Sequence, residues 1–316
     1  MKKKRSIYSF YYEWWKNIDK FIFFIIILLF ITGLFFSLVS TSLIVSDKLE
    51  TNDYTFFFKH LLFVFLGIII IFLLSSINEA KLFKFSQIIF IFSLISLLLV
   101  PIIGIEVNSA QRWIDLYFLP RFQPIELVKP FLIISISLIL SSKKYTNIYL
   151  KYLFSFFITL MIAILLAAQP DIGQTLLIFF SWSLLIFVSG INIVLLAFSS
   201  SVLFIILFFS IMFFPKFEYI KNRIISFFNT ETGTYNAQSE KAIDSITSGG
   251  YFGKGIGEGT LKNRVPEAHT DYIISVISEE FGVIAIILIL FLFLIFIYSV
   301  LKLSLIHISE PTRRYS

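Results

Sequence analysis

The sequence predicts an all-α fold, a polytopic membrane helix bundle, and three observations carry that reading. The composition is 58% hydrophobic and 15% charged, with a mean hydropathy of +0.90 and 40 phenylalanines in 316 residues. That is more apolar surface than a soluble domain of this size needs. The apolar residues fall into eight runs, each near the ~20 residues a helix needs to cross a bilayer. Lysines and arginines gather in alternate short loops, the pattern of a chain threaded with its positive loops inside. The absence of cysteine removes disulfides and thiolate metal sites. His60, His269 and His307 are not at ligand spacing, which argues against a metal site built on histidines. The net charge of +6 reads as membrane topology, and no nucleic-acid partner is expected.

In chain order, residues 1–20 are a cytoplasmic N-terminal segment. Lys2, Lys3, Lys4, Arg5, Lys16 and Lys20 surround Trp14 and Trp15, a basic, aromatic entry to a first span. That span, 21–45, is too long for a signal-peptide core and no small-residue cleavage site follows, so it is read as retained. Further spans are expected at 55–77, 82–103, 123–141, 150–168, 172–190, 192–214 and 272–301. With the N-terminus inside, the loops 78–84 (Lys81, Lys84) and 142–151 (Lys143, Lys144, Lys151) are cytoplasmic, and the acidic loop 46–54 is outside. The same parity puts 104–122 and 215–270 outside. The second loop carries Lys216, Lys221, Arg223, Lys241, Lys254, Lys262 and Arg264 against the rule. It approaches the length at which the rule weakens, and a phosphate partner is another reason for cations there. Residues 303–316, LSLIHISEPTRRYS, are polar and unconnected to the preceding pattern. One back-translation resembles a transposase-type sequencing adapter, so this tail is expected to be non-native, with the transmembrane domain taken as 21–302. The alternative is a genuine short cytoplasmic tail.

Four polar constellations interrupt the apolar text. Asn108 to Trp113 lies in an outside loop; Arg112 with Trp113 reads either as an interface anchor or as a phosphate contact. Phe122 to Lys129 opens a helix at Pro124, and Glu126 and Lys129, three apart, share a face. Ala168 to Gly173 carries Asp171 between two spans. Charges at membrane depth are expensive, so Glu126, Lys129 and Asp171 are read either as a structural ion pair, Lys129 with Asp171 or Glu126, or as substrate contacts. The fourth constellation, Gly249 to Glu280, crowds glycines, both charge signs and a histidine together. Its segment Pro266 to Asp271 immediately precedes the last apolar run, placing His269 and Asp271 at the mouth of a membrane helix. An acid at that boundary suits proton chemistry on a lipid-borne substrate, and it equally suits an N-terminal helix cap. Gly255, Gly257 and Gly259 do not make a nucleotide loop, since no Gly-x-x-x-x-Gly-Lys-Ser/Thr follows; they are expected to let a loop fold tightly at the membrane surface.

The motifs RWIDL, FQPIELVK, AQPDIG, SGGYFGKGIGEG, PEAHTDYI and SEEFG, in this order, resemble those of the SEDS family (shape, elongation, division and sporulation), over roughly residues 15–302. The text between Tyr235 and Tyr272, with WWKNIDKF at the entry, is more similar to the family's division member than to its elongation member. The resemblance implies a ten-helix fold that polymerises lipid II on the outer face of the bacterial cytoplasmic membrane, at the division septum. It makes Asp271 the essential acid, matches Trp113 to a tryptophan needed for activity, and places Glu126, Lys129 and Asp171 along a central cavity. Ile125 stands where the family has serine and Tyr272 where it has phenylalanine. Two further helices of the family have no counterpart here, so the resemblance implies eight spans of ten.

The implied reaction joins a sugar hydroxyl to the anomeric carbon of a lipid-pyrophosphate-linked saccharide. Asp271 is then the general base, with His269 as a tuning neighbour. Arg112, Lys254, Lys262 and Arg264 are candidate pyrophosphate contacts. No cofactor is required; the resemblance allows a divalent cation at the pyrophosphate, for which the sequence shows no dedicated cage. Implied partners are lipid II, membrane lipid, a class B penicillin-binding protein transpeptidase and other division proteins. The rival readings are a lipid II flippase and a scaffold that recruits a synthase. The concentration of polar residues toward the outer side favours surface chemistry over transport.

Overall fold

A computed structural model describes residues 7–41, 55–107, 110–115, 121–142, 147–169, 171–213, 237–260 and 272–309, with a few isolated positions between 217 and 225. The helices in order are α1 Ile7–Asn17, α2 Lys20–Thr41, α3 Thr55–Ser75, α4 Glu79–Ile103, α5 Pro124–Ser141, α6 Ile148–Ala168, α7 Ile172–Val188, α8 Ile193–Phe213, α9 Ala237–Gly249 and α10 Ile273–Ser309. Each expected apolar run falls on one of them, because a segment in hydrocarbon must satisfy its own backbone hydrogen bonds. Among the described residues, seven are long and apolar enough to cross a membrane, and α7, at 17 residues, is a shorter apolar helix.

Several expected loops contain structure. The loop 104–122 carries an antiparallel hairpin, β1 Ile105–Val107 with β2 Ala110–Trp113, extended by a bridge between Ile114 and Phe122. It is an addition to the all-α expectation. The loop 215–270 contains α9, and the N-terminal segment contains α1. Lys81 and Lys84 lie in the first turns of α4, not in a loop. Lys151 lies in α6, buried, its Nζ donating to the Leu140 carbonyl at 2.9 Å near the end of α5. α10 runs through Ser309, past the position where the tail was expected to break the pattern.

The chain divides into two compact units, Ile77–Ile225 and the pair of segments Met1–Ser76 and Ser226–Ser316. In the first, α5 packs on α4 and α6 on α7, around a core of Leu97, Val128, Leu132, Ile136, Ile162, Leu166, Ile178, Trp182 and Ile186. Hydrocarbon solvates leucine as well as another helix does, so these contacts hold by close packing and interhelical hydrogen bonds. Gln87 donates to Ser135 Oγ at 3.0 Å, joining α4 to α5. Trp182 Nε1 donates to Ser155 Oγ at 3.2 Å in the buried seam of α6 and α7. Outward positions such as Ile88, Phe92, Phe157 and Phe180 are exposed, as a lipid-facing surface requires.

In the second unit, α1 is held by Trp14. Its indole donates to Ser75 Oγ at 2.8 Å and packs against Phe72 and Phe23. α2 meets α10 through Phe35 and Phe36, both edge-on to Phe281. The most extensive packing is α9 along the start of α10.

Candidate functional site

In the unit Ile77–Ile225, three of the four constellations converge. α5 and α7 begin where α4 and α6 end, so the chain reversals carry Arg112 on β2, Gln123 before α5, and Gln169 and Asp171 before α7 to one end of the helices. The residue types explain the local geometry. Pro124 opens α5 because its missing N–H falls where a helix has no partner for one. Asp171 caps α7, its Oδ1 accepting from Gln174 N at 3.4 Å while its carbonyl accepts from Thr175 Oγ1 at 2.7 Å.

The side chains form two polar strings, joined where the Gln174 backbone N–H meets Asp171. Arg112 Nε lies 3.6 Å from Asp171 Oδ2 and donates to the Gln169 carbonyl at 3.3 Å. Gln123 Nε2 donates to the same Asp171 oxygen at 3.4 Å. Gln174 Nε2 donates to Glu126 Oε1 at 3.2 Å, and Lys129 Nζ meets Glu126 Oε2 at 2.7 Å. Of the two structural pairings open for Lys129, the one with Glu126 forms. Asp171 is paired instead with Arg112. Two cations and two carboxylates balance in formal charge, so the cluster is a hydrogen-bonding surface, not a bare cationic pocket. It retains unused capacity: the buried Gln169 Nε2 and Gln174 Oε1 have no hydrogen-bond partner among the described residues. Buried polar atoms left so are uncommon and invite a polar ligand or water. Trp113, on β2 opposite Ile105, is half-buried.

In the other unit, α10 is broken. Gly282 has φ +77 and ψ 177, far from helical values. An unbroken helix would bond Val283 N–H to the Glu279 carbonyl and Ile284 N–H to that of Glu280. Here the loop after α9 takes those partners. Lys254 and Gly255 N–H donate to the carbonyls of Glu279 (2.8 Å) and Glu280 (3.1 Å). Val283 and Ile284 N–H donate to the carbonyls of Gly250 (3.0 Å) and Tyr251 (3.3 Å). Four loop bonds thus replace two helical ones, and the break leaves these groups satisfied. Glycine is required by contact: a Cβ on Gly253 would meet the Glu280 carbonyl oxygen at 2.1 Å, and one on Gly282 that of Tyr251 at 2.2 Å. Lys254 does not stand alone as a phosphate contact, for its Nζ is 3.1 Å from Glu279 Oε1. Asp271, His269, Lys262 and Arg264 lie outside the described residues.

Sequence reasoning missed Gln174, whose position one turn inside an apolar helix carries no motif of its own. It also missed Glu279, which reads as part of a motif but whose partners lie 19 to 34 residues away along the chain. Among the described residues, no group of three or more His, Asp or Glu side chains could hold a metal ion.

The FtsW/RodA/SpoVE family model, described as cell cycle protein, matches residues 19–314. The probable peptidoglycan glycosyltransferase FtsW of Wigglesworthia glossinidia brevipalpis is 34% identical over 292 residues, covering 90% of this chain and 74% of that one. The like-named protein of Haemophilus influenzae is 29% identical over 297 residues, covering 90% and 72%. Among solved structures, the Thermus thermophilus Rod shape determining protein RodA superposes with a TM-score of 0.61 at 22% identity, covering 92% of this chain and 76% of that one. A chain from a peptidoglycan synthase complex superposes with a TM-score of 0.67 at 21% identity, covering 92% and 79%. At such identities these two likenesses speak for the fold.

Proposed function

The chain belongs to the FtsW/RodA/SpoVE family of cell cycle proteins, and from that premise we propose that it is a peptidoglycan glycosyltransferase that polymerises lipid II in cell division. It is a multi-pass membrane protein. The observation that carries the reading within the molecule is the hydrogen-bonded chain from Arg112 through Asp171 and Gln123, and from Gln174 through Glu126 to Lys129.

The reaction breaks the bond between the anomeric carbon and the pyrophosphate and forms one to a sugar hydroxyl. The pyrophosphate leaves readily, so the protein has three tasks: to take the hydroxyl proton, to align the reactants and to stabilise the departing charge. Asp271 takes the proton, and His269 tunes it. Arg112 offers a planar guanidinium suited to phosphate oxygens, and Lys129 a second cation. Gln169 Nε2 and Gln174 Oε1 supply an amide donor and acceptor to the saccharide headgroup. Lys262 and Arg264 are further phosphate contacts. Lys254 holds Glu279 and serves the loop first. The N-terminus is cytoplasmic, the chemistry is on the outer face at the septum, and a class B penicillin-binding protein crosslinks the product.

The test is the full protein, purified in detergent or nanodiscs, given labelled lipid II, with glycan chain length read on a gel. A ladder of polymer is expected. Movement of lipid II across a vesicle bilayer with no polymer would replace this reading with that of a flippase.

A further inference from the structure

The short helix α1 separates two surfaces by its sequence alone. Glu13, Lys16 and Asn17 recur at spacings of three and four, so they share a face. Tyr11, Trp14 and Trp15 recur in the same way, and at about 100° per residue they lie opposite that polar face. Trp14 fixes where the helix sits. Its ring meets Phe23 in the first turn of α2 at 5.9 Å and Phe72 in the last turn of α3 at 4.8 Å. Tyr11 stacks on the same Phe72 at 5.4 Å. One side chain thus touches the start of one span and the end of the next, and both points belong to the same membrane surface. α1 therefore lies at that surface. At its other end only Ile18 and Asp19 separate it from α2, and Asp19 caps α2, its Oδ1 accepting from Ile22 N–H at 2.9 Å.

The spans cover only one flank of this aromatic surface. Trp14 is half-buried, whereas Tyr12 and Trp15, three apart and so neighbours on the helix, are exposed, and Tyr11 remains exposed as well. Trp15 is held at the level of the membrane entry: its ring stands edge-on to Phe23 at 6.0 Å, and Lys20 Nζ lies 5.8 Å from its centroid. Tyrosine and tryptophan have an apolar body and a polar tip, which suits them to the boundary between acyl chains and headgroups. The phospholipid around α2 and α3 is continuous with this face, because the face sits at the ends of those two spans. Net charge is not the basis of the contact. Glu13 and Lys16 balance on α1, and Asp19 and Lys20 balance beside it.

We propose that the Tyr12 and Trp15 face of α1 is a membrane-surface binding site, occupied by the phospholipid of the leaflet in which α2 begins. α1 lies in the plane of that leaflet, its polar face toward water and its exposed rings at the headgroup–acyl boundary. Lys20, beside the Trp15 ring, meets lipid phosphate at that depth. Pinned to α3 by Trp14 and to the lipid by its other flank, α1 sets how deep the first two spans sit. The site is independent of the polymerase reading, since a flippase of the same fold would carry it too.

The chain contains no cysteine, so single cysteines report position by position. Tyr12→Cys, Glu13→Cys, Trp15→Cys and Asn17→Cys are spin-labelled in the full chain in phosphatidylcholine nanodiscs. Depth is read from collisions with lipid-soluble oxygen against those with an aqueous nickel chelate. Labels at positions 12 and 15 should lie about 5–10 Å deeper in the bilayer than labels at 13 and 17. A second reading needs no label. The fluorescence of Trp15, taken as the parent minus Trp15→Phe, should be quenched by lipid brominated high on the acyl chain and little by lipid brominated near the bilayer centre. Four labels equally open to the nickel chelate would put α1 in water and overturn the proposal. Labels at 12 and 15 shielded from both oxygen and nickel would overturn it as well, because a second copy of the chain then covers the face. A depth pattern that appears only when phosphatidylglycerol is added would assign the contact to charge and overturn the aromatic site. Where a cysteine variant fails to insert, the Trp15 quenching decides: none from the high-brominated lipid sinks the proposal.

Discussion

The two polar regions of this molecule are held by different means. The cluster in Ile77–Ile225 is a string of side chains, several of them open to their surroundings: Glu126 is 53% exposed and Arg112 32%. The junction of 249–284 is backbone fitted to backbone, closed by a carboxylate with no exposure at all. Side chains on a helix end can shift to receive a ligand and return. Backbone groups at a helix break in a membrane have no alternative partner, so their geometry is imposed once, on folding. On the proposed function, the first region would do the recognising and the second the rigid supporting.

Substitutions sharpen that contrast, beginning with the largest expected effect. Gly282→Ala would place a Cβ 2.2 Å from the Tyr251 carbonyl oxygen at φ +77, and Gly253→Ala one 2.1 Å from that of Glu280 at φ +80. Each should cost about 3 kcal/mol or more and sharply lower the folded protein recovered from membranes. Gly257→Ala is the control. It has a comparable φ of +82 but no atom within 4 Å, so only the backbone cost of about 1–2 kcal/mol applies. Equal losses at the three positions, by thermal unfolding in detergent, would show that the close fit is not what matters.

Next is Asp271→Asn, which retains capping ability but cannot accept a proton at neutral pH. Polymer formation at matched membrane levels should fall about a hundredfold or more, whereas a lost cap would cost at most about 2 kcal/mol of stability. Near-normal polymer would return the residue to a structural cap.

Arg112→Gln leaves Asp171, whose side chain is 10% exposed, without its cation. A loss of about 1–3 kcal/mol in stability is expected, together with weaker lipid II binding. Smallest in stability is Lys129→Met, since an i, i+3 pair with a half-exposed partner contributes under about 1 kcal/mol. A large drop in polymerisation by this variant, with its melting temperature held, would place Lys129 on the substrate. No change in either would leave it a solvated pair.

Sequence alone determined the membrane class, the positions of the apolar helices and the four polar constellations. Each depends on local composition: a run of Phe, Ile and Leu long enough to span hydrocarbon has one low-energy conformation there, and polar residues within it stand out by their cost. Glu126 and Lys129 were legible as a pair for the same reason, because three residues apart on a helix is a local distance. Tertiary structure decided the rest. That Asp171 meets Arg112 across 59 positions, that Gln174 joins the cluster, and that Glu279 closes on Thr260 depend on which helix ends and loops come together. Gly255, Gly257 and Gly259 were expected to tighten a surface loop. Gly249 and Gly253, for which no role was read from the sequence, make room for the backbone of a second helix, broken at Gly282, whose sequence carries no mark of that approach. Close contact between distant segments is a property of packing, and helical periodicity within either segment does not encode it.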